Sequence, residues 1–172
     1  MKLTMHQASA VRFAATLRAL AAILDKAEAH AAARKIDPAA LTGFRLYPDM
    51  FPLTRQVQIA CDAAKGAVAR LAGVEIPQHE DSERSFADLK ARIAKTLEFI
   101  GSVPAAKLEG ADEREVTIRQ RGQDVKMSGL QYLLAVAQPN FYFHVATAYD
   151  ILRHNGVELG KRDFLGQVPG MS

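Results

Sequence analysis

Over the first part of the chain, His6, Ala10, Phe13, Leu17, Leu20 and Leu24 share one stripe at three- and four-residue spacing, while Arg12, Arg18, Asp25 and Lys26 fall off it. This is the period of an amphipathic helix, expected over about residues 4–34 and closed before Asp37-Pro38. A second stripe, Leu53, Val57, Cys61, Ala64, Val68 and Leu71, predicts a helix from near Met50 to Gly73. Arg55, Gln58, Asp62 and Lys65 form its opposite arc, read as a solvated face or a contact with a second copy. A polar connection with Pro77 follows, long enough to cross the end of a bundle. Ser85, with Asp88 three positions on, caps a third helix whose buried face is Phe86, Leu89, Ile93, Leu97 and Ile100, closed by Gly101.

The period then changes. From Glu115 to Met127 apolar and polar residues alternate around Arg121-Gly122, the pattern of a short β-hairpin that must lie against the helices to be stable. Gly129 to Gln138 reads as a separate helical piece, with Pro139 at the first position of a last helix that ends at Gly156. Phe141, Val145, Ala148, Ile151 and Leu152 mark its buried face; His144 lies within that face and Asn140 on its edge. Tyr142 and Tyr149 point away, as surface or interface residues. The tail Lys161–Gly166 is polar with a Phe-Leu anchor. The expected fold is all-α, one domain over residues 1–172, with four long helices and a small hairpin before the last.

One segment does not fit a helix. Tyr47-Pro48-Asp49-Met50-Phe51-Pro52 places two prolines around three large side chains, which makes a stiff turn rather than a mid-helix stretch. Asp49 is the expected N-cap of the helix that follows, and an ion pair from Arg45 to Asp49 can close the turn. A rigid aromatic connection of this kind often borders a binding site.

Composition narrows the function classes. The 22 basic and 19 acidic side chains give a net charge of +3 with no basic block, a poor footprint for nucleic acid. Cys61 is the only cysteine, so no intramolecular disulfide forms and a cytoplasmic location is expected. No apolar run reads as a signal peptide or membrane span. There is no phosphate loop, His-Glu-x-x-His, Cys-x-x-Cys or Gly-x-Ser-x-Gly signature. What remains is His144, an imidazole on an apolar face, with His6 similarly placed on the first helix. A buried neutral histidine satisfied by one hydrogen bond is the plain alternative to a functional one.

The stretches Arg45–Gln56, Phe141–Gly156 and Asp163–Gly166 resemble a family of uncharacterised bacterial proteins within the DinB/YfiT-like superfamily of helical bundles. The resemblance implies a four-helix bundle in up-down-down-up order, often dimeric. Better-known members hold a divalent metal with one histidine on the second helix and a His-x-x-x-His pair on the fourth. Here His144 matches the second histidine of that pair, Asn140 stands at the first, and the second helix offers only Gln56, Gln58, Cys61 and Asp62. One imidazole with amides is a weak set for zinc. No resident cofactor is therefore expected, and a divalent metal, if one binds, would use His144.

The expected function is a small-molecule-binding module, homodimeric, on a degenerate metal site lined by His144, Asn140, Tyr47, Asp49 and Phe51. The alternative is a metal- or thiol-dependent transferase or hydrolase using His144. A purely structural dimer is the third reading. Neither ligand nor pathway is named by these residues.

Overall fold

The structure, a computed structural model, describes residues 3–168. Its helices are α1 (Arg12–Arg34), α2 (Pro38–Thr42), α3 (Leu53–Ala72), α4 (Phe86–Ser102), α5 (Gly129–Tyr132), α6 (Gln138–His154) and α7 (Lys161–Leu165). Strands β1 (Glu115–Gln120) and β2 (Gln123–Ser128) precede α5. α1, α3, α4 and α6 carry the stripes read from the sequence, and their apolar residues form one core centred on Phe13, Leu17, Leu20, Val57, Leu71, Leu89 and Phe141. Phe13 and Phe141 meet edge-on, with centroids 4.9 Å apart.

Individual contacts fix the topology. Ala8 and Phe13 meet Gln138 and Phe141, so α1 and α6 run the same way. Gln56 meets His144 while Arg70 meets Tyr132, so α3 opposes α6. Lys90 bonds Asp25 and Glu28, and the end of α4 lies beside His6 and Ala10, so α4 opposes α1. The order is up-down-down-up.

The connection that makes α3 and α4 parallel does not merely cross the end of the bundle. It returns along the flank of α3, bringing Asp81 to Arg55 and Glu83 to Gln58. Half of the polar arc expected to face solvent or a second copy is thereby covered within the chain: Gln58 and Lys65 are buried, while Arg55 and Asp62 stay partly exposed. At its centre Arg92, from α4, is 1% exposed and bonds Asp62 (2.9 Å), Asp81 (3.0 Å), Glu83 (2.9 Å) and the Glu80 carbonyl (3.0 Å). No local pattern announces this cluster, because its charges come from three places, Asp62 on α3, Asp81 and Glu83 in the connection and Arg92 on α4.

One further expectation is corrected. The residues from Gly129 to His154 form one continuous helical run, not a short piece and a new helix, because Leu133–Ala137 is a π-turn flanked by helical backbone at Tyr132 and Gln138. The Gln138 N–H reaches the Leu133 carbonyl, five residues back. Proline in a regular helix clashes with the carbonyl four residues earlier, here that of Ala135. The widened turn contains that carbonyl, so Pro139 is accommodated without a break. A second π-turn, Gln7–Val11, opens the first long helix, and the Gln138 side chain donates to its Ala8 carbonyl at 2.9 Å.

The hairpin is as expected. Gln120 pairs with Gln123 across Arg121 and Gly122, whose φ values of 50° and 82° define a two-residue turn matched to strand twist. Tyr149 is half-buried: its ring packs edge-on to Phe164 of α7, which Lys26–Asp163 (2.6 Å) fastens to α1. No helix among the described residues is long and apolar enough to cross a membrane.

Candidate functional site

The stiff turn closes on itself through the Met50 N–H to Tyr47 carbonyl bond (2.9 Å). Arg45 donates to the Pro48 carbonyl (3.4 Å) instead of pairing with Asp49. Asp49 is not the cap of α3 either; extended Pro52 occupies that place, as suits a residue with no N–H and a fixed φ. The turn is anchored instead by the Leu53 N–H to Phe44 carbonyl bond (2.9 Å) and by the Thr54 hydroxyl to Thr42 carbonyl bond (3.1 Å). Its aromatic side chains remain outside the core: Tyr47 is 65% and Phe51 53% exposed.

One turn into α3, Gln56 joins this segment to α6. Its amide nitrogen donates to the Phe51 carbonyl at 3.0 Å, and its amide oxygen lies 2.6 Å from His144 Nδ1. The roles follow from donor and acceptor inventory. With the NH2 end committed to a carbonyl, the oxygen faces the ring and accepts, so Nδ1 carries the proton and Nε2 keeps its lone pair. Burial, and then the nearby Arg55 charge, push the His144 pKa below its ordinary value, so the ring is neutral near pH 7. His144 as a residue is buried, at 8% exposure.

His144 thus has a polar partner across the bundle. The expectation that Asn140 would serve, one turn earlier, is replaced by Gln56; Asn140 is exposed on the rim of α6. Phe143 is also exposed and meets the His144 ring edge-on at 5.2 Å. Arg55 lies 6.0 Å from the Phe51 ring centre and is held by Asp81 and Gln58. The structure therefore ties His144 to Phe51 through Gln56, while Tyr47 and Asp49 lie exposed on the same turn. Gln56 does carry a signal in the sequence: it stands three residues after Leu53, a polar residue on the apolar side of the helix. Arg55 and Phe143 carry none.

The site does not fit a resident metal ion. Gln56 Oε1 and His144 Nδ1 are at hydrogen-bond distance, which leaves no room for an ion between them. Among the described residues no three His, Cys, Asp or Glu side chains are grouped to hold one. Cys61 is no substitute nucleophile, because it is fully buried and burial pushes its thiol pKa up to about 12.

Residues 5–165 match the family model described as a domain of unknown function, DUF1993. The chain is also similar to the crystal structure of a DinB family member protein from Shewanella denitrificans, at 44% identity and a TM-score of 0.91. That similarity covers 97% of this chain and 94% of the other. No curated protein matches it.

Proposed function

The chain belongs to the DUF1993 family, built on the DinB-like bundle, and from the chemistry of its site we propose that it is a small-molecule-binding module with a degenerate metal site. The observation that carries this reading is the 2.6 Å bond from His144 Nδ1 to Gln56 Oε1. In place of a metal ligand set, it holds a neutral imidazole in one tautomer, with an acceptor at Nε2. Phe51, Tyr47 and Phe143 offer apolar surface nearby, and Asn140 and Asp49 offer polar groups on the same two segments. A ligand with a flat apolar body and one hydrogen-bond donor matches that set.

Nitrogen NMR of labelled histidine tests the premise: His144 should appear as the Nδ1-protonated tautomer, and Gln56→Leu should mix the tautomers. An Nε2-protonated ring in the wild type would remove the acceptor and with it the proposal. The binding itself is tested by thermal shifts in a metabolite screen. His144→Phe should abolish every ligand-induced shift while costing about 1 kcal/mol of stability, the lower end for stranding one buried acceptor. Shifts retained in the variant would place binding elsewhere.

The lowered pKa of His144 favours a second reading, a transferase or hydrolase in which Nε2 takes a proton from substrate or from a thiol cosubstrate. Turnover lost in both His144→Phe and His144→Gln would select it. The proposed assembly is a homodimer. Its support is the family resemblance and the exposed Tyr47, Phe51 and Phe143, because half of the polar arc of α3 is already covered. Light scattering on a size-exclusion column at micromolar concentration should give twice the 18.8 kDa chain mass; a monomer across the range would end this reading.

A further inference from the structure

The connection between α3 and α4 carries the chain back to the start of a parallel helix, so it runs against α4 as it returns. Between the two lies a groove of about 430 Å³, within the size range of small-ligand sites. Its α4 wall is low at Ala91, which adds only a methyl group. The opposed directions put His79 with Lys95 at one end of the groove and Ser82 with Asp88 at the other. Asp88 and Lys95 are two turns apart on one helix, about 10 Å along its axis.

Among the described residues, both ends keep bonding capacity in reserve. Lys95 forms no ion pair. His79 Nδ1 and Arg92 Nε, on residues that line the groove, are buried without partners, which is uncommon in native interiors. At the other end Asp88 accepts the Arg84 and Ser85 N–H groups through Oδ2 alone, which leaves Oδ1 to accept more. Between the ends the connection presents bare backbone: no N–H from Glu75 to Glu83 bonds another backbone carbonyl. Main-chain groups of this kind are what an extended peptide pairs with when it binds along a segment.

Charge selects the class of ligand. Glu80, Glu83 and Asp88 line the groove against Arg92 and Lys95, so a simple anion meets net repulsion. A simple cation gives no acceptor to Lys95, His79 or Arg92. The ligand that suits both ends carries both charges, set about 10 Å apart. A single amino acid is too short for that, whereas three extended residues span about 10 Å. We propose that this groove is a second binding site, for a short unblocked peptide whose carboxylate is taken by Lys95 and the nitrogens of His79 and Arg92, and whose ammonium is taken by Asp88.

The test is a titration of nitrogen-labelled protein with triglycine, which offers only backbone and two charged ends, followed by amide NMR shifts. Saturable binding is expected with a Kd of about 1 mM or tighter, with shifts centred on His79, Ser82 and Ala91. N-acetyl-triglycine and triglycine amide each lack one charge and should bind at least about tenfold more weakly. Lys95→Met alters an exposed side chain, so the fold is kept, and should weaken triglycine by about tenfold. His144→Phe should leave triglycine binding unaltered, which separates this site from the one proposed above. Absence of saturation by about 10 mM triglycine would overturn the proposal. Equal binding of either blocked peptide would do the same, by showing a simple cation or anion site. Binding unchanged in Lys95→Met, or lost in His144→Phe, would place the peptide elsewhere and end the assignment.

Discussion

Replacing Arg92 by methionine is expected to lower the free energy of unfolding by about 2–3 kcal/mol, measured by urea denaturation. That is less than for a fully buried pair, because Asp62 and Asp81 are 40% and 43% exposed and only Glu83, at 11%, is left buried. Methionine keeps much of the apolar stem but leaves Asp62, Asp81 and Glu83 facing one another without their shared cation. The size of the effect follows from burial. The Arg92 side chain is 1% exposed, whereas the Lys26–Asp163 pair, with 51% and 24% exposure, belongs to the class worth about 0–1 kcal/mol. A loss below about 1 kcal/mol for Arg92→Met would mean that the cluster behaves as a surface network.

The same substitution should change the response to acid. Burial alone would raise the pKa of Glu83, but hydrogen bonds from Arg92 and Gln58 outweigh it and hold the carboxyl below its ordinary value. Burial likewise opposes, and the bonds from Arg55 and the charge of Arg92 outweigh it, at Asp81. A carboxylate whose folded pKa is depressed contributes stability that is present above its unfolded pKa and lost as pH falls through the folded one. Wild-type stability should therefore fall on acidification from about pH 4 downward. In Arg92→Met the carboxylates gain from protonation, so the gap between the two proteins should narrow over that range. A gap that widens would contradict the assigned pairing.

Gly129→Ala is the second large effect, a net loss of about 2 kcal/mol. Overpacking into a rigid contact costs about 1–3 kcal/mol, and alanine returns up to about 1 kcal/mol of helix propensity. Gly129 sits where β2 turns into the last helical run, and its N–H is fixed to the Arg114 carbonyl at 2.8 Å. The next residue, Leu130, is fixed to the Asp112 carbonyl at 3.0 Å. A Cβ added at 129 would collide with the Ala111 carbonyl oxygen and lie 3.0 Å from Leu71 Cδ2. Backbone held from two sides cannot step aside cheaply. A thermal melt that leaves the midpoint unchanged would show that it can.

The parts of this molecule that are legible in the sequence are those written in local periodicity. The stripes through Phe13, Val57, Leu89 and Val145 mark the four long helices, and the alternation around Arg121-Gly122 marks the hairpin. The unreadable parts depend on which element lies across from which. Gln56 is visible as a polar residue on the apolar side of α3, but its partnership with His144 needs α3 and α6 to be antiparallel in one particular register. Arg92 looks like an ordinary helix charge until Asp62, Asp81 and Glu83 converge on it. Pro139 suggests a helix start because a proline says nothing about the width of the turn before it.

That wide turn also sets the phase of the helix. A π-turn houses one more residue than an α-turn, so side chains before and after Leu133–Ala137 are offset by about 100° from the arrangement an uninterrupted helix would give them. Gly129 and Tyr132 face the core on one side of it; Phe141 and His144 face the core on the other. Both groups reach inward only because the extra residue lies between them. The turn therefore acts as a one-residue spacer that separates two design problems: seating the hairpin against the end of α3, and aiming His144 at Gln56. Residue changes within the spacer are cheap at Leu134 and Ala135, which are exposed, but a change in its length is not. In comparisons among related chains, the meaningful variable at this place is the number of residues rather than their identity.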